Sequence, residues 1–133
     1  MQKEKWVKAQ VKKLIDLYSK YVPIYRMCPM TFGYGESGHP DIVILVNGNL
    51  LGIEVKKDKN NHHIRPELKA KPNEVMQKRQ AEDIRKAGGY WICVYDENIH
   101  ELDEVIREIG NVNYRGWEFK DFQQLGKLVS YHE

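Results

Sequence analysis

At 133 residues the chain has the length of one domain, and with 41% hydrophobic and 11% aromatic residues it can bury a core without disulfide staples. Clear apolar runs between the charges exclude global disorder. The lack of any stretch of about 18 apolar residues excludes a membrane-spanning helix, and the lysine-rich start does not read as a secretory signal, so a soluble, cytoplasmic protein is expected. The net charge of +2 decides nothing, but residues 1–20 hold six lysines against two acids and residues 56–71 hold six Lys/Arg against two acids, local basic patches that suit a phosphate backbone.

The first element expected is a helix from about Lys3 to Tyr21. Val7, Val11, Leu14, Ile15, Tyr18 and Val22 recur at the three/four spacing of a buried stripe, Glu4 falls on the same stripe, and Pro23 ends it. Tyr25 to Met30 reads as a strand, and Gly33, Gly35 and Gly38 mark a loop. Ile42 to Val46 is wholly apolar, the pattern of a strand buried on both faces. Asn47-Gly48 is a hairpin signal, and Leu50 to Lys56 is the returning strand. A polar loop from Lys57 to about Asn73 leads to a helix over Glu74 to Ala87, with Met76, Gln80, Ile84 and Ala87 as its inner stripe and Gly88-Gly89 as its stop. Tyr90 to Tyr95 reads as a strand and Glu101 to Ile109 as a third helix. From Asn111 onward, Trp117, Phe119 and Phe122 are apolar enough to pack. Cys28 and Cys93 have no partner at metal-site spacing, and Cys93 reads as a small buried hydrophobe.

The hairpin turn sets a register. With a two-residue turn at Asn47-Gly48, Val46 faces Asn49, and counting back puts Asp41 opposite Glu54, with Cβ atoms about 4.5–5.5 Å apart. Two carboxylates so placed repel each other unless a cation lies between them, and Mg²⁺ is a hard ion held by one or two carboxylates plus water and phosphate. Strand alternation puts Lys56 on the face of Glu54 and sends Ile53 and Val55 into the core. Phosphodiester hydrolysis needs an activated water and neutralised charge at phosphorus, which a metal between two carboxylates with an ammonium beside it can supply.

Pro40-Asp41 followed by Glu54-Val55-Lys56 resembles the PD-(D/E)XK nuclease signature. The wider pattern over about residues 1–95 is similar to its virus-type replication-repair (VRR-NUC) branch: Gly before Pro-Asp, the Ile-Glu-Val-Lys strand, then a Gln helix ending in Gly-Gly before an apolar strand. The resemblance implies an α/β, restriction-endonuclease-like αβββαβ core with a central mixed sheet flanked by helices, making one nuclease domain with a helical, aromatic extension over about 96–133. It implies that Asp41 and Glu54, with the Val55 carbonyl, bind Mg²⁺ or Mn²⁺ and that Lys56 is catalytic. Gln77 sits where the branch has its helix Gln, with Gln80 as a rival, and Glu4 falls where it often has a first-helix Glu. The Ser-Pro common before that Gln is replaced by Lys71-Pro72-Asn73-Glu74, which leaves the start of the helix open.

The function so implied is a metal-dependent DNA endonuclease, with branched or flapped DNA in replication, repair or recombination as its substrate class. Lys57, Lys59, Arg65, Lys69 and Lys71 are expected DNA contacts near the site, and His39, His62 and His63 are further candidates for phosphate or metal. Two alternatives remain: a nucleic-acid-binding module that no longer cleaves, and a restriction-type enzyme whose homodimer would read a palindrome.

Overall fold

The computed structural model describes residues 3–27, 40–58 and 72–130, with side chains described from 76 onward in the last segment. Eight elements follow in chain order: α1 (Lys3–Ser19), β1 (Ile24–Met27), β2 (Ile42–Val46), β3 (Asn49–Val55), α2 (Pro72–Lys86), β4 (Tyr90–Val94), α3 (Ile99–Ile109) and α4 (Phe119–Val129). They form an α/β domain with a mixed four-stranded sheet, in the order β1-β2-β3-β4, flanked by helices. β1, β2 and β3 run antiparallel, whereas β3 and β4 are parallel because the connection between them passes through α2.

The expected hairpin register is present. Asn47 and Gly48 both take positive φ, +50° and +85°, which is the requirement of a type I′ turn. The ladder then runs from Val46 opposite Asn49 to Ile42 opposite Ile53, so one further step places Asp41 across from Glu54.

Strand alternation divides the apolar side chains between two clusters. Ile42, Ile44, Val46, Leu51, Ile53, Val55 and Val94 pack with α1, α3 and α4, while Trp91 and Cys93 pack with Ala81 and Ile84 of α2. α3, α4 and the segment between them contribute to the main core: Leu102, Ile106, Trp117, Leu125 and Leu128 share a cluster with Val7, Val11 and Leu14. Polar links reinforce this seam. The Tyr18 hydroxyl donates to buried Asp103 and lies 2.8 Å from the Tyr114 hydroxyl, and Lys20 Nζ meets buried Asp121 at 3.0 Å.

Several expectations are corrected. Glu4 does not share the buried stripe of α1; it is exposed one turn before Val7, where the helix end extends past the packed core. The buried row of α2 is Gln77 and Ala81, with Ile84 half-buried and Ala87 exposed. The helix is thus rotated relative to the apolar stripe, because Gln77 finds a polar partner inside. α2 starts at Pro72, two residues early, as suits a residue whose fixed φ is pre-set for a first turn. Phe119 is 75% exposed and Phe122 is only partly covered, its ring 5.6 Å from that of Trp117. Among the described residues no helix is long and apolar enough to cross a membrane.

Candidate active site at the end of the β2–β3 hairpin

Glu54 and Asp41 sit at the end of the hairpin remote from its turn, and their environments differ. Glu54 lies within β3 on the face covered by α2, next to Cys93 of β4 in the parallel ladder, and is only 3% exposed. Asp41 lies in the bend that precedes β2, with its side chain about one-third exposed. In the antiparallel register, Asp41 and Glu54 fall at a non-hydrogen-bonded position, where opposed side chains approach most closely.

Asp41 is held by the backbone. The position of Val55 in the ladder falls opposite Pro40, which has no N–H, and the Val55 N–H donates instead to Asp41 Oδ2 at 2.8 Å. In an antiparallel ladder a residue directs its N–H and C=O to the same neighbour, so the Val55 carbonyl is also on the Asp41 side of β3. On the opposite side, the Lys56 N–H donates to the Val94 carbonyl at 2.9 Å and keeps the strand paired with β4.

Glu54 is held by a side chain. Gln77 Nε2 donates to Glu54 Oε1 at 3.1 Å, and Gln77 is itself buried. Of the two glutamines left open by the sequence, Gln77 is the one that makes this bond. Glu54 Oε2 and Gln77 Oε1 are both buried without a hydrogen-bond partner among the described residues.

Burial pushes the Glu54 carboxyl up to about 9. The nearby Asp41 carboxyl adds to the rise and Glu4 adds less, while the Lys56 ammonium acts in the opposite direction. Desolvation, rather than carboxylate repulsion, is the larger cause. Burial likewise raises the neighbouring Cys93 thiol to about 12, with the charge of Glu54 contributing, so this cysteine is a neutral packing group.

A hard divalent cation fits these donors. The side chains offered are oxygen ligands, one carboxylate oxygen is buried and unpartnered, and a carbonyl lies on the same side of β3. The set is small: among the described residues no group of three or more His, Cys, Asp or Glu side chains could hold an ion. Two carboxylates with water and phosphate are the way Mg²⁺ is commonly held, so a cage of protein ligands is not required.

Glu4 is exposed at the start of α1, yet near enough for its charge to act on Glu54. Lys57 is exposed immediately after Lys56. Lys59, Arg65, Lys69 and Lys71, with His39, His62 and His63, lie outside the described residues. Sequence reasoning missed Lys8: its Nζ lies 3.9 Å from Asp41 Oδ1. Helical spacing put it one turn past Glu4, but nothing in the sequence showed that Asp41 would be beside it.

A recess of about 320 Å³ opens elsewhere, lined by residues that include Lys3, Trp6, Asp96, His100 and Lys127, and neither carboxylate borders it. No family model matches the chain, and no curated protein and no solved structure matches it either.

Proposed function

We propose that the chain is a metal-dependent deoxyribonuclease of the PD-(D/E)XK type, similar to the VRR-NUC branch, that hydrolyses phosphodiester bonds in DNA. The observation that carries this reading is the opposition of Asp41 and buried Glu54, which has an oxygen left without a partner beside Gln77. A buried carboxyl with an unpaired oxygen costs a fold stability, and buried, perturbed carboxyls cluster at functional sites, which supports this reading. The element order α-β-β-β-α-β supports the restriction-endonuclease-like arrangement.

In this reading Asp41, Glu54 and the Val55 carbonyl hold Mg²⁺ or Mn²⁺. When bound, the ion lowers the pKa of a water and offsets charge that builds on the phosphoryl oxygens. The Val55 N–H fixes Asp41, and Gln77 fixes Glu54 with its second oxygen free. Lys56, on the face of Glu54, presents an ammonium to the scissile phosphate and orients the attacking water. Lys57 and the basic segment after it meet flanking phosphates.

The test is incubation of purified protein with linear, nicked, flapped and four-way-junction DNA, with Mg²⁺ or with EDTA. Cleavage in Mg²⁺ that disappears in EDTA and in Glu54→Ala is expected. Cleavage by Glu54→Ala at the parent's rate would end the nuclease assignment, and metal-independent binding without cleavage would favour the non-cleaving module.

A further inference from the structure

We propose that the flank of α1 bearing Lys5, Lys8 and Lys12 is the seat of the DNA strand to be cut, and that Lys8 moves between Asp41 and a phosphate. This rests on the nuclease reading above and deepens it. Lys8 Nζ is 3.9 Å from Asp41 Oδ1, and both side chains are about one-third exposed, so the ammonium can leave the carboxylate without breaking a buried pair. Positions 5, 8 and 12 recur at three/four spacing and so lie along one side of the helix. Lys5 and Lys12 are exposed.

The dimensions suit a strand of nucleic acid. Seven residues of helix span about 10 Å at 1.5 Å each, close to the axial length of three nucleotides at about 3.4 Å each. The ridge ends at Asp16, which is occupied by Arg26 at 3.1 Å and so does not draw Lys12 away. Glu4 lies one turn before Lys8 and is near enough for its charge to act on Glu54, so the acidic end of the ridge is the end toward the two carboxylates.

Lys8 has two roles that can be separated by sign. In the metal-free protein its ammonium offsets the charge of Asp41 and competes with a divalent cation for that carboxylate. With the cation bound, Asp41 is already neutralised, and Lys8 is released to a phosphate next to the scissile one. Lys8 is therefore a positioning residue, and its removal should strengthen metal binding while weakening DNA binding. A lysine that only stabilises the fold would not move the two affinities in opposite directions.

The experiment uses Lys8→Met, which keeps the apolar stem, with Lys5→Met, Lys12→Met and Lys86→Met for comparison. Mn²⁺ binding is measured by calorimetry on the protein alone, and binding of a fluorescent DNA duplex by anisotropy over a range of salt, with Ca²⁺ in place of Mg²⁺. Lys8→Met should bind Mn²⁺ about threefold more tightly, the scale of a part-exposed ion pair. It should bind DNA several-fold more weakly, with the log–log salt slope reduced by about 0.9. Lys5→Met and Lys12→Met should reduce the slope and leave Mn²⁺ affinity unchanged, and Lys86→Met should change neither. If Lys8→Met binds DNA like Lys86→Met, or binds Mn²⁺ no more tightly than the parent, the inference is overturned while the nuclease reading stands. A parent protein that binds no Mn²⁺ at all overturns both.

Discussion

Gln77 Nε2 donates to Glu54 Oε1 at 3.1 Å across the junction of α2 and β3, while Glu54 Oε2 and the amide oxygen of Gln77 are both buried and without a partner among the described residues. This one bond joins the helix to the carboxylate, and its consequences can be measured.

The first concerns pH. In the metal-free protein Glu54 titrates near 9, above the ordinary value of 4.5, so the folded state holds a proton that the unfolded state releases. That contribution is fully present below about 4.5 and is lost as pH rises to 9. Glu54→Gln keeps the acceptor for Gln77 and carries no charge. In EDTA at pH 8 it should be more stable than the parent by up to a few kcal/mol, and at pH 4.5 the two should be equal. Urea melts at both pH values provide the check; a parent as stable as the variant at pH 8 would mean that Glu54 is not desolvated.

Metal should reverse that order. An ion that binds only the native state adds about 2.7 kcal/mol at a hundred times its dissociation constant. Millimolar Mn²⁺ should therefore raise the parent's melting temperature by several degrees and do far less for Asp41→Asn or Glu54→Gln. An equal rise in all three proteins would show that the ion binds elsewhere.

Gln77→Ala should reduce cleavage about 10–100-fold, as loss of a residue that orients a metal ligand does. It should also cost about 1–3 kcal/mol of stability by leaving Glu54 Oε1 unsatisfied. Gln80→Ala, which leaves the bond to Glu54 intact, is the comparison in both assays, and a larger loss of activity at Gln80 would reverse the assignment.

Gly52 tests how α2 is seated. A Cβ there would lie 3.0 Å from Pro40 Cγ and 3.2 Å from Ile84 Cδ1, so a larger side chain displaces both the residue before Asp41 and the helix that carries Gln77. Gly52→Val should lower stability by about 1–3 kcal/mol, the usual cost of overpacking, and lower Mn²⁺ affinity with it. Unchanged metal binding would show that the site tolerates movement of both elements.

Much of this arrangement was legible in the sequence because it depends on local geometry. Asn47-Gly48 demands a type I′ turn, a two-residue turn sets the register, and the period of a strand then assigns Asp41, Glu54 and Lys56 to one side of the sheet. The buried stripe of α1 was equally plain, since six apolar residues at helical spacing can face only one way.

What the sequence could not decide is what crosses between distant segments. The sequence left Gln77 and Gln80 as rivals, and only the placement of α2 over β3 selects Gln77, by supplying Glu54 as the partner of its buried amide. Lys8 is one of six lysines in the first 20 residues, and only the packing of α1 beside the bend at Asp41 distinguishes it. The residues after 95 were read as an extension because their apolar side chains carry no address. Tertiary packing supplies it, since Leu102, Ile106, Leu125 and Leu128 of α3 and α4 share one cluster with Val7, Leu14 and Tyr18 of α1. Local periods dictate which way a side chain faces, whereas burial, charge and partner depend on which surface arrives opposite it.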